Sequence, residues 1–190
     1  MSFSHQFHRS LLGSSLAVCL GALGTYSQST PAIQLPDGTV HFTQIPRLVK
    51  ATTTEKGVGV LGAVYYFTLS IPENSGVPLQ RVTITQQSGV DQIKFIPKGT
   101  QAFKDGHRQD QASLGSVTQD KDNQTISVTF DPPIVAGKTV TIGLRPSRNP
   151  ITSGTYLFGV TAFPEGEKAT GQFLGFGRLQ FYNSSNGSFR

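Results

Sequence analysis

Sulfur and indole are nearly missing from this sequence. Cys19 is the only cysteine, Met1 the only methionine, and tryptophan is absent from all 190 residues. One cysteine excludes an internal disulfide, so the fold must stand on packing. The lack of methionine withdraws the soft thioether ligands that a copper carrier would use. Without tryptophan, a sugar-stacking surface has to be built from Tyr and Phe. Charge is also sparse: Asp, Glu, Lys and Arg make up 14% of the chain, and the formal net charge is +5. The basic residues stand singly rather than in a block. That spread and the absence of a supporting motif argue against a nucleic-acid partner.

What is present begins with the leader. Met1–Ser10 carries His5, His8 and Arg9, the apolar stretch Leu11–Gly24 follows, and Thr25–Ala32 is small and polar. This order is that of a secretory signal peptide. Thr30 and Ala32 stand at the −3 and −1 positions, where the peptidase pocket admits only small side chains, so cleavage is expected after Ala32. The apolar run is shorter than the 18–20 or so residues that a membrane-spanning helix needs. Lipidation at Cys19 is disfavoured, because Val18 is too large for the preceding position and Cys19 lies inside the run rather than at its end. An exported protein without disulfides fits a bacterial envelope better than eukaryotic secretion.

Removing 1–32 leaves 158 residues, with eight Lys and seven Arg against eleven Asp and Glu. That is one domain, large enough to bury about 68–70% of its unfolded surface. The mature domain is expected over 33–182, with 183–190 as a polar tail. Its mild basic excess would favour anionic envelope polymers or lipid head groups.

The rhythm is β throughout. Val64–Ile71 is β-branched and aromatic and stops at the turn cluster Pro72–Gly76. Val82 and Ile84 alternate with Arg81, Thr83 and Thr85, as do Ile126, Val128 and Phe130 within 125–130, and Val140, Ile142 and Leu144 within 139–144. This period of two marks half-buried strands. Ile93–Ile96 reads as a further short strand, Thr155–Phe163 as a central one and Gln172–Tyr182 as the last. Asp131-Pro132-Pro133 should break the ladder, because proline donates no backbone hydrogen bond. Short turns near 47–53 and 101–105 are the only helix candidates. The charged, weakly patterned stretch 104–122 should be a long loop or a loosely held edge. Eight or nine short strands with frequent turn signals predict an all-β fold, an antiparallel β-sandwich of the immunoglobulin-like kind.

Chemistry-bearing constellations are weak. In the mature chain only His41 and His107 remain, with no ligand spacing between them. No Gly-x-Ser-x-Gly elbow occurs. Asp105, Asp110, Asp120, Asp122 and Asp131 could in principle supply a glycosidase pair, yet four of the five lie in the polar stretch, where solvated acids are the norm. Asp120–Gln124 has acidic spacing but lacks the glycine and the terminal glutamate of a calcium loop. The densest cluster is C-terminal: Phe158, Phe163, Phe173, Phe176, Phe181 and Tyr182 among Gly159, Gly166, Gly171, Gly175 and Gly177. It is either the sandwich core or an aromatic groove in which Arg145, Arg148 and Arg178 meet an anionic or sugar ligand. Glycines beside aromatics permit bulges and close backbone approach.

The segments Ile33–Thr39, Phe42 with Pro46–Leu48, Tyr65–Phe67 before Ile71–Asn74, Phe130–Pro133, Arg145-Pro146, Asn149-Pro150, Tyr156–Pro164, Gly175–Arg178 and Phe181-Tyr182 resemble, in order, a family of secreted cyanobacterial proteins catalogued as a domain of unknown function. The resemblance implies export to a cyanobacterial periplasm or envelope and one small domain. It carries over no catalytic residue. The function expected is a non-enzymatic binding or structural module of the envelope, without cofactor or metal, meeting an envelope protein or an anionic surface polymer, and with no transmembrane helix in the mature chain. The alternatives are an enzyme acting on an envelope glycan, with acids from Asp105 to Asp131, and a periplasmic metal carrier.

Overall fold

The computed structural model describes residues 33–34 and 38–183; the expected signal peptide and nearly all of the polar tail lie outside the described residues. A two-residue pair, β1 (Ile33–Gln34) with β2 (Val40–His41), precedes two larger sheets. The four-stranded sheet has the order β3 (Arg47–Thr53), β4 (Tyr65–Ser70), β9 (Thr139–Leu144), β6 (Gln101–Lys104). The five-stranded sheet runs β11 (Gln172–Phe181), β10 (Gly154–Pro164), β5 (Leu79–Ser88), β8 (Thr125–Ile134), β7 (Leu114–Asp120). Every pairing in both is antiparallel. Face to face they form the expected antiparallel β-sandwich of immunoglobulin-like architecture.

The alternation legible in the sequence becomes the core. Tyr65, Phe67 and Leu69 of β4 and Val140, Ile142 and Leu144 of β9 are buried from one sheet; Val82, Ile84, Ile126, Val128, Phe130, Tyr156, Phe158 and Val160 are buried from the other. Each such side chain contributes about 1.5–3 kcal/mol by leaving water. Rings interlock across the two layers: Tyr65 lies 5.6 Å from Phe181 and 6.1 Å from Phe158, and Phe67 lies 5.7 Å from Phe158. The two contacts with Phe158 are edge-to-face, an arrangement that adds about 0.5–1.5 kcal/mol each.

Four sequence readings need correction. The stretch 47–53 is strand β3 and 101–104 is strand β6, not helical turns; both are edge strands whose pattern is half-exposed and therefore uninformative about period. Ile93–Ile96 is not a regular strand. Phe95 makes an isolated bridge to Pro146, and the chain then enters the 3₁₀ turn Pro97–Gly99, because the proline at 97 offers no donor to extend a ladder. Strand β8 passes through Asp131-Pro132-Pro133 and pairs again at Ile134 opposite Leu79, the register slipping between Leu79 and Arg81. The Asp131–Pro132 peptide is cis. Within 104–122, Leu114–Asp120 forms the outer strand β7, and the rest is turn and loop.

Gly177 permits a close approach between the sheets. A Cβ there would stand 2.7 Å from Phe67 Cε1 and 2.8 Å from the Cβ of Ala51. Gly177→Ala is therefore expected to destabilise the fold by about 1–3 kcal/mol through overpacking. Chemical denaturation should show a lower midpoint with an unchanged slope.

Candidate functional site

At one end of the sandwich, the loop after β5 and the loop after β9 face each other across a cleft of about 550 Å³. Its walls are Val90–Lys94 and Ser147–Ile151. Prolines 146 and 150 restrict the second loop. Between them the fully buried Asn149 side chain ties three segments together. Its Oδ1 accepts from the Tyr65 hydroxyl at 2.9 Å, and its Nδ2 donates to the carbonyls of Glu55 at 3.0 Å and Gly57 at 2.8 Å. Its backbone N–H donates to the Val60 carbonyl at 2.8 Å. Burial pushes the Tyr65 phenol well above its usual range, with nearby Tyr156 adding to the shift, so it remains a neutral donor.

The first loop is braced in the same manner. Gln86 continues the inward phase of Val82 and Ile84, and its amide donates to the Asp91 carbonyl at 2.7 Å while accepting from the Ile93 N–H at 2.9 Å. The Asp91 carboxylate accepts from the Thr152 N–H at 2.7 Å and its hydroxyl at 3.1 Å, with Tyr156 Oη at 3.4 Å. These donors, the Thr152 backbone first, hold the Asp91 carboxyl below the usual carboxylate range. The polar floor of the cleft is thus engaged in holding its own loops. Lys94 and Arg148 are the exposed cations of its lining, beside the exposed Val90 and Ile151.

Of the three arginines singled out in the sequence, Arg148 lines this cleft. Arg145 is exposed beside the 3₁₀ turn, its side chain within 3.0 Å of where a Gly99 Cβ would stand. Arg178 is exposed on the outer face of β11, opposite Leu157 of β10. Neither Arg145 nor Arg178 is among the residues lining the cleft. The aromatic cluster divides. Phe158 and Phe181 are core, whereas Phe173, Phe176 and Tyr182 are 54%, 56% and 53% exposed. Lys94, Asp91, Gln86 and Asn149 escaped the sequence reading as site residues, although polar Gln86 at an inward position of an alternating strand was a visible signal.

Two of the acids considered for catalysis, Asp105 and Asp120, are tied into turns. Asp105 accepts from Lys138 Nζ at 3.0 Å and the Thr139 N–H at 3.1 Å, and Lys138 leads the causes that lower its pKa. Asp120 accepts from the N–H groups of Asp122 and Asn123 and from Asn123 Nδ2, closing the β7–β8 turn. Asp131 is exposed on β8. His41 lies in β2 and His107 in the turn after β6. Among the described residues no group of three or more His, Cys, Asp or Glu converges, and no helix is long and apolar enough to cross a membrane.

The family model described as "Protein of unknown function (DUF2808)" matches residues 39–181, and the chain belongs to that family. No curated protein matches the chain. Among solved structures, a collagen-binding domain from a Staphylococcus aureus adhesin is 12% identical, with 71% of this chain and 98% of that one covered at a TM-score of 0.38. An uncharacterized protein from Nocardia farcinica with an immunoglobulin-like fold is 14% identical, with 70% and 97% covered at a TM-score of 0.40. The C-terminal domain of the Streptococcus pyogenes antigen I/II-family protein AspA is 11% identical, with 70% and 46% covered at 0.40; this chain spans just under half of that one.

Two outcomes are expected here. Asn149→Ala strands the Tyr65 hydroxyl in the core and should destabilise by roughly 1–3 kcal/mol for that group alone, read by thermal or urea unfolding. Asp91, Asp105 and Asp120 all have folded pKa values lowered from 3.8. Their stabilisation is complete above that value and is lost as pH falls through the lowered ones. Asp91→Asn should therefore give a shallower decline of stability below pH 3.8 than the wild type, measured as unfolding midpoint against pH.

Proposed function

We propose that this chain is an exported, non-enzymatic binding module of the cell envelope, acting in the periplasm or envelope or secreted outright, in a cyanobacterium. The mature module is 33–182, released from the signal peptide 1–32 and followed by the tail 183–190. Its ligand is an envelope protein or an anionic surface polymer that presents acidic groups to the end cleft. Arg148 and Lys94 contact it there, with Arg145 on the same loop as a further cationic contact.

One observation carries this reading. The polar groups in the floor of the cleft are bonded to their own loops, while the cations Lys94 and Arg148 stand exposed in its lining. Such a site suits recognition of an anion better than proton transfer, which needs a titratable group free to change state. Loops at the end of a rigid sandwich are the usual position for binding residues.

The test is capture from an envelope extract of the same organism on immobilised 33–190, eluted by salt and identified by mass spectrometry. A specific, saturable partner should be retained by the wild type. Arg148→Ala with Lys94→Ala should weaken it by roughly tenfold or more, as expected when charged hydrogen bonds are removed, without moving the unfolding midpoint. A blank capture, or retention unchanged in the double variant, overturns the reading. Sequencing the exported protein should give Ile33 as its first residue.

A further inference from the structure

The outer face of the five-stranded sheet carries a second device, built by an irregularity in β11. Phe173 and Phe176 are three residues apart, so a regular strand would send them to opposite faces. Here Phe173 pairs with Thr161 and Phe176 with Gly159, both outward positions of β10, while Gly175 faces Val160. The register slips between Val160 and Thr161, with Leu174 as the additional residue and Gly175 at φ 118°. This is a β-bulge, and a glycine takes the backbone angle that it needs. Its effect is to bring both rings to the same face, with centroids 5.1 Å apart and planes at 69°.

The surroundings are arranged for the rings. Phe173 lies over Gly159, its Cε2 3.3 Å from where a Cβ would stand, and Phe163 lies over Gly171 at 2.6 Å. The guanidinium of Arg81 stacks on Phe163, with its carbon 4.1 Å from the ring centroid. Arg81 Nε has no hydrogen-bond partner among the described residues. Outward positions next to these are mostly polar: Thr83, Thr85 and Gln87 on β5, Thr155 and Thr161 on β10, Gln180 on β11, with Leu157 of β10 the apolar exception. Strands β5, β10 and β11 contain Arg81 and Arg178 but no Asp or Glu.

We infer that this face binds an anionic polysaccharide. A pyranose offers an apolar C–H face, which stacks on an aromatic ring, and hydroxyls at its rim, which pair with threonine and glutamine. Two rings meeting at an angle form a corner that seats one sugar residue by its face and its edge. The two arginines on strands free of acids complement carboxylates along the polymer. A protein partner would ask for a broader apolar centre than two rings among hydroxyls. Because the side chains stand on strands, little freedom is lost on binding. The inference rests on the reading of the chain as an envelope binding module but uses a different surface from the end cleft.

The test is isothermal calorimetry of 33–190 with polygalacturonate, with neutral dextran and poly-glutamate as comparisons. The wild type should bind polygalacturonate and neither comparison. Phe173→Ala and Phe176→Ala should each weaken binding by about tenfold, the scale of an aromatic contact at the centre of an interface, and Arg178→Gln should weaken it and flatten its salt dependence. These residues are exposed, so unfolding midpoints should stay close to wild type. No binding to polygalacturonate, equal binding to poly-glutamate, or indifference to both ring variants each overturns the inference. If binding is lost in Arg148→Ala with Lys94→Ala but not in the ring variants, the sheet face fails and the cleft stands. If no variant of either set matters, both fail.

Discussion

Tyr65 sits where the demands of the core and of the loops meet. Its ring packs against Phe95, Phe158 and Phe181, so it belongs to the contact that joins the two sheets. Its hydroxyl reaches the one buried amide that gathers the loop before β4 and the loop after β9. With no cysteine anywhere from residue 20 onward, packing and hydrogen bonds of this kind take the place that a disulfide holds in many extracellular sandwiches. The wall of the end cleft after β9 depends on that phenol–amide contact, and a buried donor with one partner leaves little latitude for substitution at either residue.

The two polar centres of the cleft differ in kind. The Asn149 amide is neutral and enclosed, so it holds its loops at any ordinary pH. The Asp91 carboxylate is nearer to solvent and accepts more strongly from Thr152 and Tyr156 when it is charged. One wall of the site is therefore indifferent to acid and the other is not. A ligand carrying acidic groups would meet Arg148 from the first wall and Lys94 from the second.

Much of the architecture was legible because the buried strands obey a strict period. Val82 and Ile84, Ile126 to Phe130, and Val140 to Leu144 alternate without exception, and each set is inward in the structure. Edge strands are different. Residues 47–53 are largely exposed or half-buried and 101–104 bury two adjacent residues, Ala102 and Phe103, so neither stretch shows a period of two and a helical turn looked equally acceptable. Pro132 was misleading for a related reason: a proline removes one donor, but β8 resumes beyond it by shifting register. The cleft was half legible. Arg148 and the loop that carries it were visible, whereas Lys94 and Asp91 join them only through folding, since 53 residues or more of chain separate the two walls. The aromatic cluster could not be divided between core and surface from composition alone, because an unseen bulge sets the phase of Phe173 and Phe176.

That bulge has an evolutionary consequence. On its C-terminal side, Gly177, Leu179 and Phe181 keep the parity of the core; on its N-terminal side, parity is reset by one residue. The two stretches of β11 can therefore change independently. A substitution at Gly175 that closed the bulge while keeping every residue would swap which side chains at the start of the strand meet water, whereas loss of the extra Leu174 would leave Phe173 facing outward. The character of an entire surface thus hangs on one backbone angle, so a lineage could gain or discard this surface in one mutational step.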